Sequence, residues 1–189
     1  FATDGNITFP DATVQTTAGW TGHQLENIYI GLQSNIGGNQ GTRAVAIGAL
    51  AGGFGQGNSA TAVGDSSGFI SQGAESVAVG INAGSQYQGI YAVAIGSSAG
   101  YQNQGQYSIA IGVGAGYDSQ ANNTIVINAT GGTLNASAQA SSFYVDPIRS
   151  DNSATQSLIY NTTTKEITYT DRNTIEGFTF GADGDRKST

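Results

Sequence analysis

The stretch AVAIGSSAGYQNQG, Ala92–Gly105, decides the fold, because the chain has already said nearly the same thing sixteen residues earlier as SVAVGINAGSQYQG and says it again sixteen residues later as SIAIGVGAGYDSQA. Glycine recurs at Gly48, Gly64, Gly80, Gly96 and Gly112, and Asn128 takes the next place in the series. Written in sixteens from Thr42, six consecutive rows share the outline x-x-[AST]-[VIT]-[AV]-[VI]-G-x-x-[AS]-G-x-x-x-Q-G, the last row most loosely. An earlier row, LENIYIGLQSNIGGNQG (25–41), fits with one extra residue, making about seven units over 25–137. A fixed period of this kind is the signature of a solenoid.

Within a unit, several glycines and no capping residues exclude a helix, since each interior glycine costs about 1 kcal/mol. AVAIG reads as a short strand with Val45 and Ile47 on one side and Ala44 and Ala46 on the other. Gly48 then permits a corner that a Cβ would resist. The second half of the unit holds another short strand with Ala99 facing inward, and Gln-Gly makes the second corner. Sixteen residues suffice for two short strands and two turns, a flattened coil that pairs with the next about 4.8 Å along one axis. The expectation is that valine and isoleucine fill the inside, that glutamine lines one corner as an amide ladder, and that alanine faces outward. So thin a core is too small to offset the entropy of ordering its residues. The alanine face is therefore expected to pack against neighbouring chains, giving a self-associating roll.

Composition bounds the rest. The chain has 189 residues, only 10% of them charged, where about a quarter is usual, and its 29 glycines are about twice the usual share. Between Thr42 and Ser137 the only charged residues are Arg43, Asp65, Glu75 and Asp118. A net charge of −7 argues against nucleic acid, which needs a basic surface. The absence of cysteine removes disulfides and thiolate metal sites. No apolar run reaches the 18 or so residues of a spanning helix, so no membrane insertion is expected. The chain opens on Phe1 with no visible signal peptide and closes in DRKST, which suggests a processed product or a segment of something longer.

The flanks differ in composition, with seven of the thirteen acidic residues lying after Phe143. NITFPDATVQTTAGW reads as two short strands around Pro10-Asp11. SFYVDPIRS reads as a strand, SLIYNTTTKEITYTD as a hairpin turning at Asn161–Lys165, and GFTFG (177–181) as a further strand. The expected organisation is an N-terminal β segment or connector at 1–24, a β-roll repeat domain at 25–137 and a C-terminal β-hairpin neck module at 138–189.

The repeated SVAVG and AVAIG, with x-A-G and a later glycine, resemble the head repeats of trimeric autotransporter adhesins over 25–137. The resemblance implies a left-handed parallel β-roll, three chains side by side, binding host surface molecules. The chain departs from that family in period, 16 against the family's usual 14 or so, and in showing no anchor or coiled-coil stalk. ITFPDATVQTTAG resembles a segment of marine bacteriophage tail-fibre proteins. FYVDPIR…LIYNTTTKEITY resembles one in fibre and spike proteins of phages and large algal viruses, lying just before their C-terminal module. Together the flanks favour a virion fibre over a bacterial adhesin.

Little in the sequence carries reactive chemistry. His23 is the one histidine, and without cysteine or a second histidine the common nucleophile–base pairs and zinc sites lack parts. Asp65, Glu75 and Asp118 fall in different columns of the repeat, which does not suit a carboxylate pair for sugar hydrolysis. GADGD (181–185) lacks the spacing and terminal glutamate of a calcium loop. Glycine clusters such as GGFGQG are corners and not phosphate loops, since no G-K-[ST] follows. The ligand candidates are two tyrosine columns, Tyr91 with Tyr107 and Tyr101 with Tyr117. Stacked coils would set each pair about 5 Å apart, where the rings either stabilise adjacent rungs or meet a sugar.

The expectation is thus an all-β chain: a parallel β-roll solenoid of about seven 16-residue coils, left-handed and homotrimeric by resemblance, with flanking short β-strand modules. Its expected function is that of a structural, non-enzymatic virion fibre, a trimeric shaft or spike segment at the virion surface serving host attachment. No cofactor is expected. The expected partners are itself, other fibre or tail proteins, and host surface glycans or proteins. The alternatives are a bacterial trimeric surface adhesin head at the cell surface and a polysaccharide-degrading fibre enzyme. An ice-binding solenoid is disfavoured because no regular threonine row exists.

Overall fold

The computed structural model describes residues 7–8, 14–15, 27–150, 156–171, 179–180 and 186–187, and these are all strand, turn or irregular, with no helix among them. The chain divides into two compact units, Phe1–Ile148 and Arg149–Thr189. In the first, β1 (Ile7–Thr8) and β2 (Val14–Gln15) pair antiparallel across the Pro10-Asp11 segment, as the sequence predicts. The repeat region then supplies β3 (Ile28–Ile30), β4 (Val45–Ile47), β5 (Phe54–Gln56), β6 (Thr61–Val63), β7 (Ile70–Gln72), β8 (Val77–Val79), β9 (Val93–Ile95), β10 (Ile109–Ile111), β11 (Ile125–Asn128) and β12 (Phe143–Asp146).

Eight of these make one parallel sheet in the order β3-β4-β6-β8-β9-β10-β11-β12. Its register is the repeat itself: Val45 pairs Thr61, Thr61 pairs Val77, Val77 pairs Val93, Val93 pairs Ile109, and Ile109 pairs Ile125. The first step, Ile28 to Val45, absorbs the one extra residue of the 25–41 row. The opposite wall is β5 paired with β7, carried on by single parallel bridges Ile70–Gln86, Gln86–Gln102 and Gln102–Asp118. This is a β-solenoid of about seven turns. The sheet continues through β12, which pairs Tyr144 with Val126 and adds a further rung.

The alternation along each strand is as expected, but its sense is reversed. Ala46, Ala62, Ala78, Ala94 and Ala110 are wholly buried, while their Val and Ile neighbours face outward. The expected valine-isoleucine interior and outward alanine face are both corrected. The physical reason is contour length. Sixteen residues close so flat a loop that the lumen is little more than one methyl group from each wall. Ala51, Ser67, Ala83, Ala99 and Ala115 face the strand alanines from the other side, all wholly buried. Branched side chains cannot fit between two walls that close. Larger residues enter the strand-alanine column only at its ends: Tyr29 in the first coil, then Val126 and Tyr144 in the last two, where Tyr144 packs on the alanine core.

At the corner glycines the same crowding acts on the backbone. Gly48 and Gly80 have φ of 132° and 129°. A Cβ on Gly48 would lie 2.5 Å from the carbonyl oxygen of Gly64, one rung on. No L side chain adopts that φ easily or fits that gap. Asn128, in the same column, has no such neighbour of the regular period. Its Nδ2 donates instead to the Val113 and Gly132 carbonyls at 2.8 and 2.7 Å, closing the longer final coil.

In the second unit, β13 (Gln156–Tyr160) and β14 (Ile167–Asp171) form the expected antiparallel hairpin, and β15 (Thr179–Phe180) pairs antiparallel with β16 (Arg186–Lys187). The β13–β14 turn is built by Asn161, whose Oδ1 accepts from the Thr163 and Thr164 amides at 2.9 and 3.0 Å.

The width of the lumen is testable. Ala94→Leu should lower stability by about 1–3 kcal/mol through overpacking, whereas Ile95→Leu, on the outer side, should cost less than about 1.5 kcal/mol. Denaturant unfolding of the two variants checks the order; equal tolerance at both positions would contradict the assigned sidedness.

Candidate functional site

Two kinds of glutamine lie in this solenoid, and the structure separates them. Gln56, Gln72, Gln88, Gln104 and Gln120 are 2–3% exposed. Each Nε2 crosses the lumen to a strand carbonyl of its own coil: Val45, Thr61, Val77, Val93 and Ile109, at 2.8–3.0 Å. The expected ladder of side chain to side chain is therefore corrected. Among these five, only Gln88 to Gln104 forms a rung-to-rung amide bond, at 3.0 Å. The others are transverse struts that tie the Gln-Gly corner to the strand. Each strut uses the second lone pair of a carbonyl in the parallel ladder and places the buried amide NH2 on an acceptor away from water.

The amide oxygens of Gln56, Gln72, Gln88 and Gln120 have no conventional hydrogen-bond partner. Each lies against a glycine of the x-A-G motif: a Cβ on Gly52, Gly68, Gly84 or Gly116 would come within 3.0 Å of that amide. The contact recurs rung after rung, so the amide fills the space that a side chain at the glycine would take. Glycine is required there by the glutamine as much as by its positive φ of 52–56°.

The second kind, Gln86 and Gln102, is half-buried on the outer surface in the column that continues to Asp118. Gln102 Nε2 donates to Gln86 Oε1 at 3.3 Å, and Gln86 Nε2 donates to the Tyr101 hydroxyl at 3.4 Å. Beside them Tyr101 and Tyr117 stack, with ring centroids 5.0 Å apart and planes at 22°. Two rungs nearer the N-terminus Phe54 and Phe69 meet edge to face at 5.3 Å. Sequence reading singled out the tyrosines but not these two amides. The signal was present, since aligned rows put Gln86 and Gln102 in one column, two places before the buried glutamines.

The other predicted pair also comes together: Tyr91 and Tyr107 stack at 5.1 Å with planes at 16°. Both are exposed and both hold a left-handed backbone, φ 60° and 57°. The Glu75 carboxylate, one rung before Tyr91, raises that phenol above its ordinary pKa, with burial and Tyr107 adding to the shift and a hydrogen bond to Glu75 holding the neutral form. The two tyrosine pairs lie in different columns of the repeat, one next to a carboxylate and one next to amides.

The acidic residues stay dispersed. Asp65 accepts from Ser66 Oγ and Asp118 from Ser119 Oγ, and among the described residues no three His, Cys, Asp or Glu side chains gather. His23 and the 181–185 segment lie outside the described residues.

The two glutamine columns should respond differently to truncation. Gln88→Ala removes a strut, loses its bonds to the Val77 carbonyl and to Gln104 Oε1 and leaves that buried oxygen without its donor, at a cost of about 1–3 kcal/mol. Gln102→Ala, at the surface, should change stability by no more than about 0.5 kcal/mol. Thermal unfolding of both variants measures the difference.

Comparison with protein-family models, with curated proteins and with solved structures finds no match for this chain.

Proposed function

We propose that the chain is a structural fibre segment of a virion, a homotrimeric shaft or spike of left-handed β-rolls that serves attachment to the host cell surface. The observation that carries self-association is the outer face of the eight-stranded sheet. Its two outward columns are almost entirely Val and Ile, and they remain open to water: Ile95 is 40% and Ile127 38% exposed. A contiguous apolar face of that kind marks an interface with another molecule. A second copy with the same repeat offers a matching ladder. The interface thus lies on the valine-isoleucine side, not on the alanine side from which the sequence reading derived it.

The second unit supports the same reading independently. Leu158, Tyr160, Ile167 and Tyr169 lie on one face of the β13–β14 hairpin, and all four are exposed. A lone two-stranded hairpin is marginal in water. Three copies brought together would cover that face and hold the chains in register. The attachment role and the virion setting rest on the wording of the flanks, which resembles viral fibre and spike segments. Repetition sets length at about 4.8 Å per coil, and three-fold presentation turns weak surface contacts into firm adhesion.

Sedimentation should give the 19.2 kDa chain a mass near three times that value. Ile95→Glu, outward in the middle of the apolar face, should shift it toward monomer without changing strand content. A monodisperse monomeric wild type would end the trimer reading. Antibodies raised against 25–137 should label fibres or spikes of the source virus and block its adsorption. Labelling of a bacterial envelope would favour the adhesin instead, and clearing of host polysaccharide by the purified chain would favour the enzyme.

A further inference from the structure

We propose that the outward patch of Gln86, Tyr101, Gln102, Tyr117 and Asp118 binds a neutral linear glycan running along the solenoid axis. The inference rests on the attachment reading for its biological setting, while the binding chemistry is read from the patch itself.

The patch occupies three consecutive rungs, with Gln86, Gln102 and Asp118 bridged in parallel register and Tyr101 and Tyr117 stacked alongside. Its amides are weakly engaged. The bonds at 3.3 and 3.4 Å sit near the limit of hydrogen bonding, where the same side chain inside the lumen bonds at 2.8–3.0 Å. A primary amide offers two hydrogens and two lone pairs. Gln86 and Gln102 each use one hydrogen within the patch, and the Gln102 carbonyl is uncommitted. The Tyr101 oxygen accepts from Gln86, leaving its own proton to donate outward. Asp118 Oδ1 accepts from Ser119, leaving the second oxygen as an acceptor.

Donors and acceptors therefore alternate along an axis, beside aromatic edges, at the rung spacing of about 4.8 Å. A chain of sugar hydroxyls, each able to donate and accept, is complementary to that series. The apolar pyranose face can rest against the tyrosine pair by van der Waals contact. An extended β-linked hexopyranose chain advances by a similar distance per residue, so successive sugars can meet successive rungs of the patch. Charge selects among glycans. No Lys or Arg occurs between Arg43 and Arg149, and Asp118 is the charged member of the patch. Sulfated and uronic chains would be repelled. The Tyr91–Tyr107 stack is less suited, because the Tyr91 hydroxyl is engaged by Glu75 and the neighbouring rungs of its column place the Glu75 carboxylate and Asn123 there, with no glutamine amide.

The test is affinity electrophoresis of the purified full chain through gels containing hydroxyethylcellulose, a galactomannan or heparin. At least one neutral polysaccharide should retard the chain, and heparin should not. Tyr117→Ala and Gln102→Ala should each weaken that retardation roughly three- to tenfold, the loss of one net contact, with unfolding temperature within a few degrees of wild type. Tyr107→Ala should leave it unchanged. Retardation by neither neutral polysaccharide, equal retardation by heparin, or equal sensitivity to Tyr107→Ala would each overturn the assignment. Absence of glycan binding in a chain whose antibodies still label virus fibres removes this patch alone; absence of labelling with glycan binding intact removes the virion setting alone.

Discussion

The length of one coil governs this structure. Sixteen residues can close two short strands and two corners into a loop, but only a flat one. Everything inside the regular coils is then a methyl, a hydroxyl or a glutamine folded across the loop, and larger residues enter only at the ends of the stack. Ala94 and Ala99 face each other from the two walls with no exposure at all, and Gln104 reaches over to the Val93 carbonyl at 2.9 Å. The large aliphatic side chains, which in most domains supply the core, are displaced to the outside. A roll of this type buries its smallest residues and exposes its most hydrophobic ones. Its outward Val and Ile columns, with Ile95 40% and Ile127 38% exposed, are the burial that the lumen cannot supply, and the proposed self-association draws on them.

The legible part of the fold was the part that repetition writes down. The step from Ile109 to Ile125, the extra residue before Val45 and the hairpin turning at Asn161 could all be read from spacing and turn chemistry. The sidedness could not. Alternation places Val93 and Ile95 opposite Ala94, but a period of two has no sign, and the usual preference for burying branched side chains points the wrong way here. Only the distance between the walls settles it. The last rung is hidden for a related reason: Phe143–Asp146 has lost the glycine of the repeat but keeps its alternation, and Tyr144 sits in the alanine column.

The candidate site was legible in its aromatic half. Tyrosines sixteen apart stack at 5.0 and 5.1 Å because identical positions on successive rungs lie one strand spacing apart. The amide half was obscured by its neighbours. Gln86 and Gln102 stand two residues from Gln88 and Gln104, and the backbone between each pair turns through a left-handed residue, Tyr87 or Asn103. That turn sends one glutamine into the lumen and leaves the other outside. Neither composition nor period reports it.

A division of labour follows from the geometry. Inward columns are constrained by volume at every rung, so Gly, Ala, Ser and Gln recur there with little freedom. Outward columns answer only to the surface they form. The column that begins with Phe54 and Ile70 passes to Gln86 and Gln102 and ends at Asp118, changing from apolar to amide to carboxylate over five rungs without altering the coil. The tyrosine column beside Glu75 changes just as freely, from Arg43 and Ser59 to Tyr91, Tyr107 and Asn123. A solenoid so constructed separates what holds it together from what it presents: the lumen enforces the repeat, and chemical identity is written along the axis on side chains that the lumen never touches.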